Sequence, residues 1–158
     1  DTLIVMNVDG SNAQQLASMA RIDGIAWSPD GTRIAMSGDA GGDTPGVYVV
    51  AADGSSAAAR LVAMSASAIS PSAWSPDGNR IAFGYSWIVN ADGTGLVQIP
   101  RQVAKSPAAW SPDGSELAFI DCPNFACAIY VMKADGTNLR QLTDGATLQG
   151  LGIDLSWR

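Results

Sequence analysis

The sequence has no histidine and a single glutamate, and charged residues make up only 15% of its 158 positions. Each shortage removes a class of function. Histidine is the commonest proton carrier near neutral pH, so Ser–His–Asp and Cys–His catalysis are excluded within these residues. The lone Glu116 follows a turn and is expected to face water, and no pair of aspartates stands out as a glycosidase dyad. The two cysteines are two ligands short of a zinc site, with no histidine to complete it. No apolar run approaches the roughly 18 residues that a membrane-spanning helix needs, so no membrane insertion is expected. The expectation is a protein that is not an enzyme and holds no cofactor or metal.

What remains is acidic and globular. Hydrophobic residues reach 47%, enough for one domain with a real core. The net charge is −6 and the sequence pI is about 4.3, so phosphate backbones and anionic lipid are repelled, and nucleic acid is not an expected partner. Seven acids, Asp9, Asp30, Asp53, Asp77, Asp92, Asp113 and Asp135, each precede a glycine in a repeated turn and serve structure and solubility first. Cys122 and Cys127 stand five apart in "DCPNFAC". Paired, they would add about 2 kcal/mol by loop-closure entropy and point to an oxidising compartment, periplasmic or extracellular. Two buried, unpaired thiols are the alternative. The sequence starts at Asp1 with neither an initiator Met nor a visible signal peptide, and reads as a mature or trimmed segment of something longer.

The chain repeats itself. "AWSPDGTRIAM" at 26–36 returns as "AWSPDGNRIAF" at 73–83 and "AWSPDGSELAF" at 109–119, and "DLSWR" at 154–158 begins a fourth copy. Between the copies runs a second unit: "IVMNVDGS" at 4–11, "VYVVAADGS" at 47–55, "WIVNADGT" at 87–94 and "IYVMKADGT" at 129–137. The tryptophans are 47, 36 and 47 residues apart, and internal periods near 40 mark propellers and solenoids. Ser-Pro-Asp-Gly suits a type I turn closed by a left-handed glycine. Large apolar residues then alternate with alanine: Ile34 and Met36, Ile81 and Phe83, Leu117 and Phe119. Period two means strand. Each period therefore holds four short antiparallel strands, a to d, which is a propeller blade.

These residues carry a resemblance. "AWSPDGxxIAF…IYVMxADGTxxxxLT" resembles the repeat of TolB-type β-propellers, relatives of the WD-repeat proteins. The resemblance implies an all-β propeller of four-stranded antiparallel blades. It implies that the strand-a tryptophans, Trp27, Trp74, Trp110 and Trp157, pack between blades as core. It implies binding to partners of the cell envelope; similar propellers also occur in sugar-lyases and beside peptidase domains. No counterpart of TolB's separate N-terminal domain is visible.

The expected organisation is one partial propeller over 1–158. Outer strands of a first blade lie at 3–16, complete blades at 25–63, 72–99 and 108–143, and an inner strand of a next blade at 153–158. Joining the ends would leave a blade without strand b, and strands a and c run the same way, so they cannot replace it. Either the natural chain continues into a larger ring, or copies pair into a ring or filament, or one chain closes as a small ring with an unusual seam. The a–b and c–d turns share one face and are uniform. The b–c and d–a connections share the other and differ strongly: "SGDAGGDTPG" at 37–46, "GYS" at 84–86 and "IDCPNFACA" at 120–128. Variable loops on a rigid scaffold are where binding resides. From them we single out Asp39, Asp43, Tyr85, Arg101, Lys105, Asn124 and Phe125, since aromatic and arginine side chains are common binding anchors. The two carboxylates of "DAGGD" fall short of the six or more oxygens that Ca²⁺ takes. The expected function is a non-catalytic scaffold presenting these loops to a protein or ligand partner. A structural protomer with open blade edges is the alternative, and the propeller of a hydrolase the third reading.

Overall fold

The computed structural model describes residues 1–42, 45–64, 73–84, 87–99, 108–122, 127–144, 155 and 157, and all regular secondary structure among them is β. A two-stranded sheet comes first, β1 (Thr2–Val5) against β2 (Gln14–Ser18). Three four-stranded antiparallel meanders follow. They are β3 (Arg21–Trp27), β4 (Arg33–Asp39), β5 (Pro45–Ala51) and β6 (Ala59–Ala63); then β7 (Ala73–Trp74), β8 (Arg80–Phe83), β9 (Trp87–Asn90) and β10 (Val97–Gln98); then β11 (Ala109–Trp110), β12 (Glu116–Asp121), β13 (Ala128–Lys133) and β14 (Arg140–Gln141). This is the blade pattern of a propeller, and the fold is all-β as the repeat implies.

Turn chemistry makes the hairpins. In each Ser-Pro-Asp-Gly turn the glycine amide donates to the serine carbonyl, Gly31 to Ser28, Gly78 to Ser75 and Gly114 to Ser111. Gly31, at φ +70°, takes the left-handed step that closes the turn, where any larger residue would be strained. The buried serine hydroxyl donates to the Asp carboxylate and accepts the amide of Arg33, Arg80 or Glu116, so it is satisfied both as donor and as acceptor.

Period two then sorts the side chains between neighbouring sheets. Ile34 and Met36 of β4, with Tyr48 and Val50 of β5, bury against Leu3 and Met19 beside the two-stranded sheet. The opposite face of the same sheet, Ala35 and Val47, packs on Trp74, Ile81, Phe83 and Val89. Ala82 and Ile88 meet Trp110, Leu117, Phe119 and Tyr130 in the same way. The large residue faces the preceding sheet and the alanine faces the next, which lets sheets stack closely. Each fully buried Ile, Met or Phe here contributes about 1.5–3 kcal/mol.

A repeated joint locks sheet to sheet. The indole N–H of Trp74 donates to the Ala26 carbonyl at 3.0 Å, that of Trp110 to Ala73 at 3.0 Å, and that of Trp157 to Ala109 at 2.9 Å. Arg33, at the head of β4, lies 4.7 Å over the Trp74 ring and donates to the Gly78 carbonyl at 2.9 Å. Arg80 does the same 4.9 Å over Trp110, reaching Gly114 at 2.7 Å. Trp74 and Trp110 are 8% exposed. Trp27 departs from the expected core position, because 49% of its surface is exposed. The reason is local: among the described residues only β1 and β2 precede it, and they bring neither the accepting carbonyl nor the covering arginine. At the third joint the pattern changes again. Glu116 stands where Arg33 and Arg80 stand, and it turns to its own sheet in a two-pronged pair with Arg140 at 2.7 and 3.0 Å.

Candidate binding face

The two ends of the blades are built differently. At one end lie the Ser-Pro-Asp-Gly turns and the Asp-Gly turns between third and fourth strands, seven in all, each with an aspartate accepting the amide two residues on. Serine or threonine hydroxyl bonds come first among the forces holding every one of these carboxyls below its ordinary range. Asp30 is drawn down to about 2 by the Ser28 hydroxyl and then the Thr32 amide, and Asp113 to about 2 by Ser111 and then Ser115. A carboxylate this committed to the hydroxyls and amides of its own turn is poorly placed for proton transfer. Two clefts open between these turns: one of about 400 Å³ lined by Arg33, Asn79, Asn90, Ala91 and Asp92, the other of about 380 Å³ lined by Trp27, Gly31, Thr32, Ala52 and Asp53.

At the opposite end the connections differ in length and chemistry. β4 and β5 pair out to Asp39 opposite Pro45, leaving 40–44 as the loop. β8 and β9 pair out to Phe83 opposite Trp87, leaving 84–86. β12 and β13 pair out to Asp121 opposite Ala128, leaving 122–127, and a disulfide joins Cys122 to Cys127 across the loop's base with Cα atoms 3.8 Å apart. The strands that carry these three connections are the second and third of each four-stranded sheet.

Among the residues singled out for binding, Asp39 is placed at this end, partly exposed, its carboxylate accepting the Gly41 amide at 2.8 Å. Asp43, Tyr85, Arg101, Lys105, Asn124 and Phe125 lie outside the described residues. Sequence reasoning passed over Asp121, a carboxylate 2% exposed beside Cys122. The alternation puts Asp121 on the face of Leu117 and Phe119, and that signal was available. It also passed over Arg33 and Arg80, whose matched positions after two Ser-Pro-Asp-Gly turns, with Glu116 at the third, mark the joint.

The sheets and joints define the chain as β-propeller in class. No protein-family model and no curated protein matches the sequence. Among solved structures it is similar to TolB from Acinetobacter baumannii (TM-score 0.68, 20% identity, 90% of this chain and 37% of that one). It is also similar to a protein described as TolB from Agrobacterium tumefaciens (0.67, 23% identity, 90% and 56%) and to a chain of a nidogen/laminin complex (0.65, 15% identity, 92% and 56%). Peptidases are matched as well. The chain spans about a third to just over half the length of the first three, and at these identities the likeness is one of fold.

Proposed function

We propose that this chain is a non-catalytic binding scaffold of TolB-like propeller type, working outside the cytoplasm and presenting its unequal loops to a protein partner. The observation that carries the reading is the contrast between the two ends: seven near-identical turns at one, three dissimilar loops at the other. Uniform turns answer to the fold, whereas loops free to differ answer to whatever they meet. The disulfide at the base of 122–127 fits an oxidising compartment and holds that loop's ends together, lowering the ordering cost of binding. The chain seen in a nidogen/laminin complex is a propeller of similar fold in a protein assembly. The candidate anchors are Tyr85 and Phe125, and Asp39, Asp43, Arg101, Lys105 and Asn124 are the further candidate contacts.

The test is affinity capture from an extracytoplasmic extract, followed by titration of each captured protein in purified form. Tyr85→Ala and Phe125→Ala should each weaken binding by about 30-fold, as loss of an interface anchor does. Asp53→Asn, at the turn end, should leave it unchanged. Binding that survives both loop variants and falls with the turn variant would place the working face at the wrong end.

A further inference from the structure

We propose that the cleft between the first and second four-stranded sheets, at the turn end, binds a neutral sugar residue through Arg33, Asn79, Asn90 and Asp92. The inference is independent of the loop face. The turns at this end share one backbone, but the second sheet carries side chains that the other two lack. After the turn glycine stand Thr32, Asn79 and Ser115 in the three sheets. Opposite the head of each second strand stand Ala51, Asn90 and Lys133. Of the three, the second sheet alone has a carboxamide at both places.

Both amides line the cleft of about 400 Å³, together with Ala91, Asp92 and, from the preceding sheet, Arg33. That volume lies within the range of small-molecule sites. Its walls are held in place before anything binds. Arg33 is fixed between the Trp74 ring and the Gly78 carbonyl. The turn that carries Asp92 is seated on the first sheet at Gly93, where a Cβ atom would come within 3.3 Å of the Leu61 carbonyl oxygen. Walls fixed in this way lower the ordering cost of binding.

The lining specifies the occupant. Arg33 spends one of its five N–H donors on Gly78. Asn90 gives one amide hydrogen to the Thr94 hydroxyl and keeps the other, along with its carbonyl. Both bonds that Asp92 accepts from Thr94 fall on Oδ1, which leaves Oδ2 outside the turn's own bonds. The Thr94 hydroxyl and then its amide hold this carboxyl below its ordinary range, so it is charged at neutral pH. Among the described residues Arg33 and Asp92 form no ion pair with each other. The cleft thus offers one positive group, one negative group and two amides, with no net charge. An anion would be repelled by Asp92, and a cation by Arg33. A free α-amino acid would answer the two charges and leave both amides unmet. Hydroxyl groups each donate and accept, and several on one ring can answer all four side chains at once.

The experiment titrates the full chain with the methyl glycosides of glucose, galactose, mannose and N-acetylglucosamine, and separately with glycine. NMR follows the side-chain amide signals of Asn79 and Asn90 and the Nε–H signal of Arg33. At least one glycoside should shift all three saturably, with a Kd of about 1 mM, as a few hydrogen bonds in an open cleft give. The double variant Asn79→Thr, Asn90→Ala carries the residues that the first sheet has at the same places, and an unchanged backbone spectrum elsewhere shows that it folds. It should bind the same glycoside about tenfold more weakly, read at Arg33. No saturable shift from any of the four glycosides would overturn the proposal, as would equal binding by the double variant. A response to glycine alone would overturn it too, by naming a zwitterion as the ligand.

Discussion

At the scale of single residues, the aspartates of the turns set how the protein meets acid. Each is more readily ionised in the fold than in the unfolded chain, where its value would be 3.8, and Glu116 is lowered likewise by the Arg140 guanidinium. A carboxyl lowered by folding adds stability that is complete above the unfolded value and is lost as pH falls through the folded one. The urea midpoint should therefore be flat above about pH 5 and drop between about pH 4 and pH 2, where Asp30 and Asp113 take up protons. Urea titrations at half-unit pH steps check this, and a midpoint unchanged down to pH 2 would contradict it. These turns were legible from sequence because their chemistry is local: serine, aspartate and glycine within four residues settle the conformation whatever surrounds them. Asp121 was not read, because its burial depends on what the neighbouring strands bring, though its alternation with Leu117 and Phe119 pointed inward.

At the scale of elements, the sheets are joined by a device that spacing alone does not reveal. The strands of each blade could be read from period two, but which blade Arg33 touches depends on how sheets stack, and it bonds a carbonyl 45 residues away. Removing one such contact should loosen a whole joint. Arg80→Ala deletes the stacking over Trp110 and the bond to Gly114, and should lower unfolding stability by about 2 kcal/mol. The exposed Arg60→Ala should change it by less than about 0.5 kcal/mol. Guanidinium unfolding of both variants makes the comparison, and equal effects would mean that the joint contributes nothing. The candidate loop residues were the least legible part, since loops that differ from copy to copy carry no internal repeat to check them against.

At the scale of the whole molecule, the described residues leave a flank exposed where β1 and Trp27 border it. Ile4 and Met6 of that flank are 49% and 55% exposed, while their counterparts Tyr48 and Val50 in the next blade are buried. The sequence placed strand-a tryptophans in the core as a class, and Trp27 shows the limit of that reasoning: a repeat specifies what a residue is made to touch, and the neighbour must still be there. Trp27 should dominate the quenchable fluorescence of the native chain. Trp27→Phe should remove most of the acrylamide-sensitive emission, and Trp110→Phe very little. The reverse pattern would mean that the flank is covered in solution.

The joint also has a handedness of roles. Its carbonyl and arginine come from one blade, its indole and turn carbonyl from the next, so donor and receiver are never the same surface. Contacts of that kind cannot be made across a two-fold axis, where each partner must present the same patch. Any assembly propagated through this joint must therefore run in one direction, like links in a chain with a hook and an eye, and it ends only by bending round to its own beginning or by meeting a link without a hook. At Glu116 the arginine is gone but the carbonyl stays, and the Trp157 indole still bonds Ala109 at 2.9 Å, so that link keeps one of its two hooks.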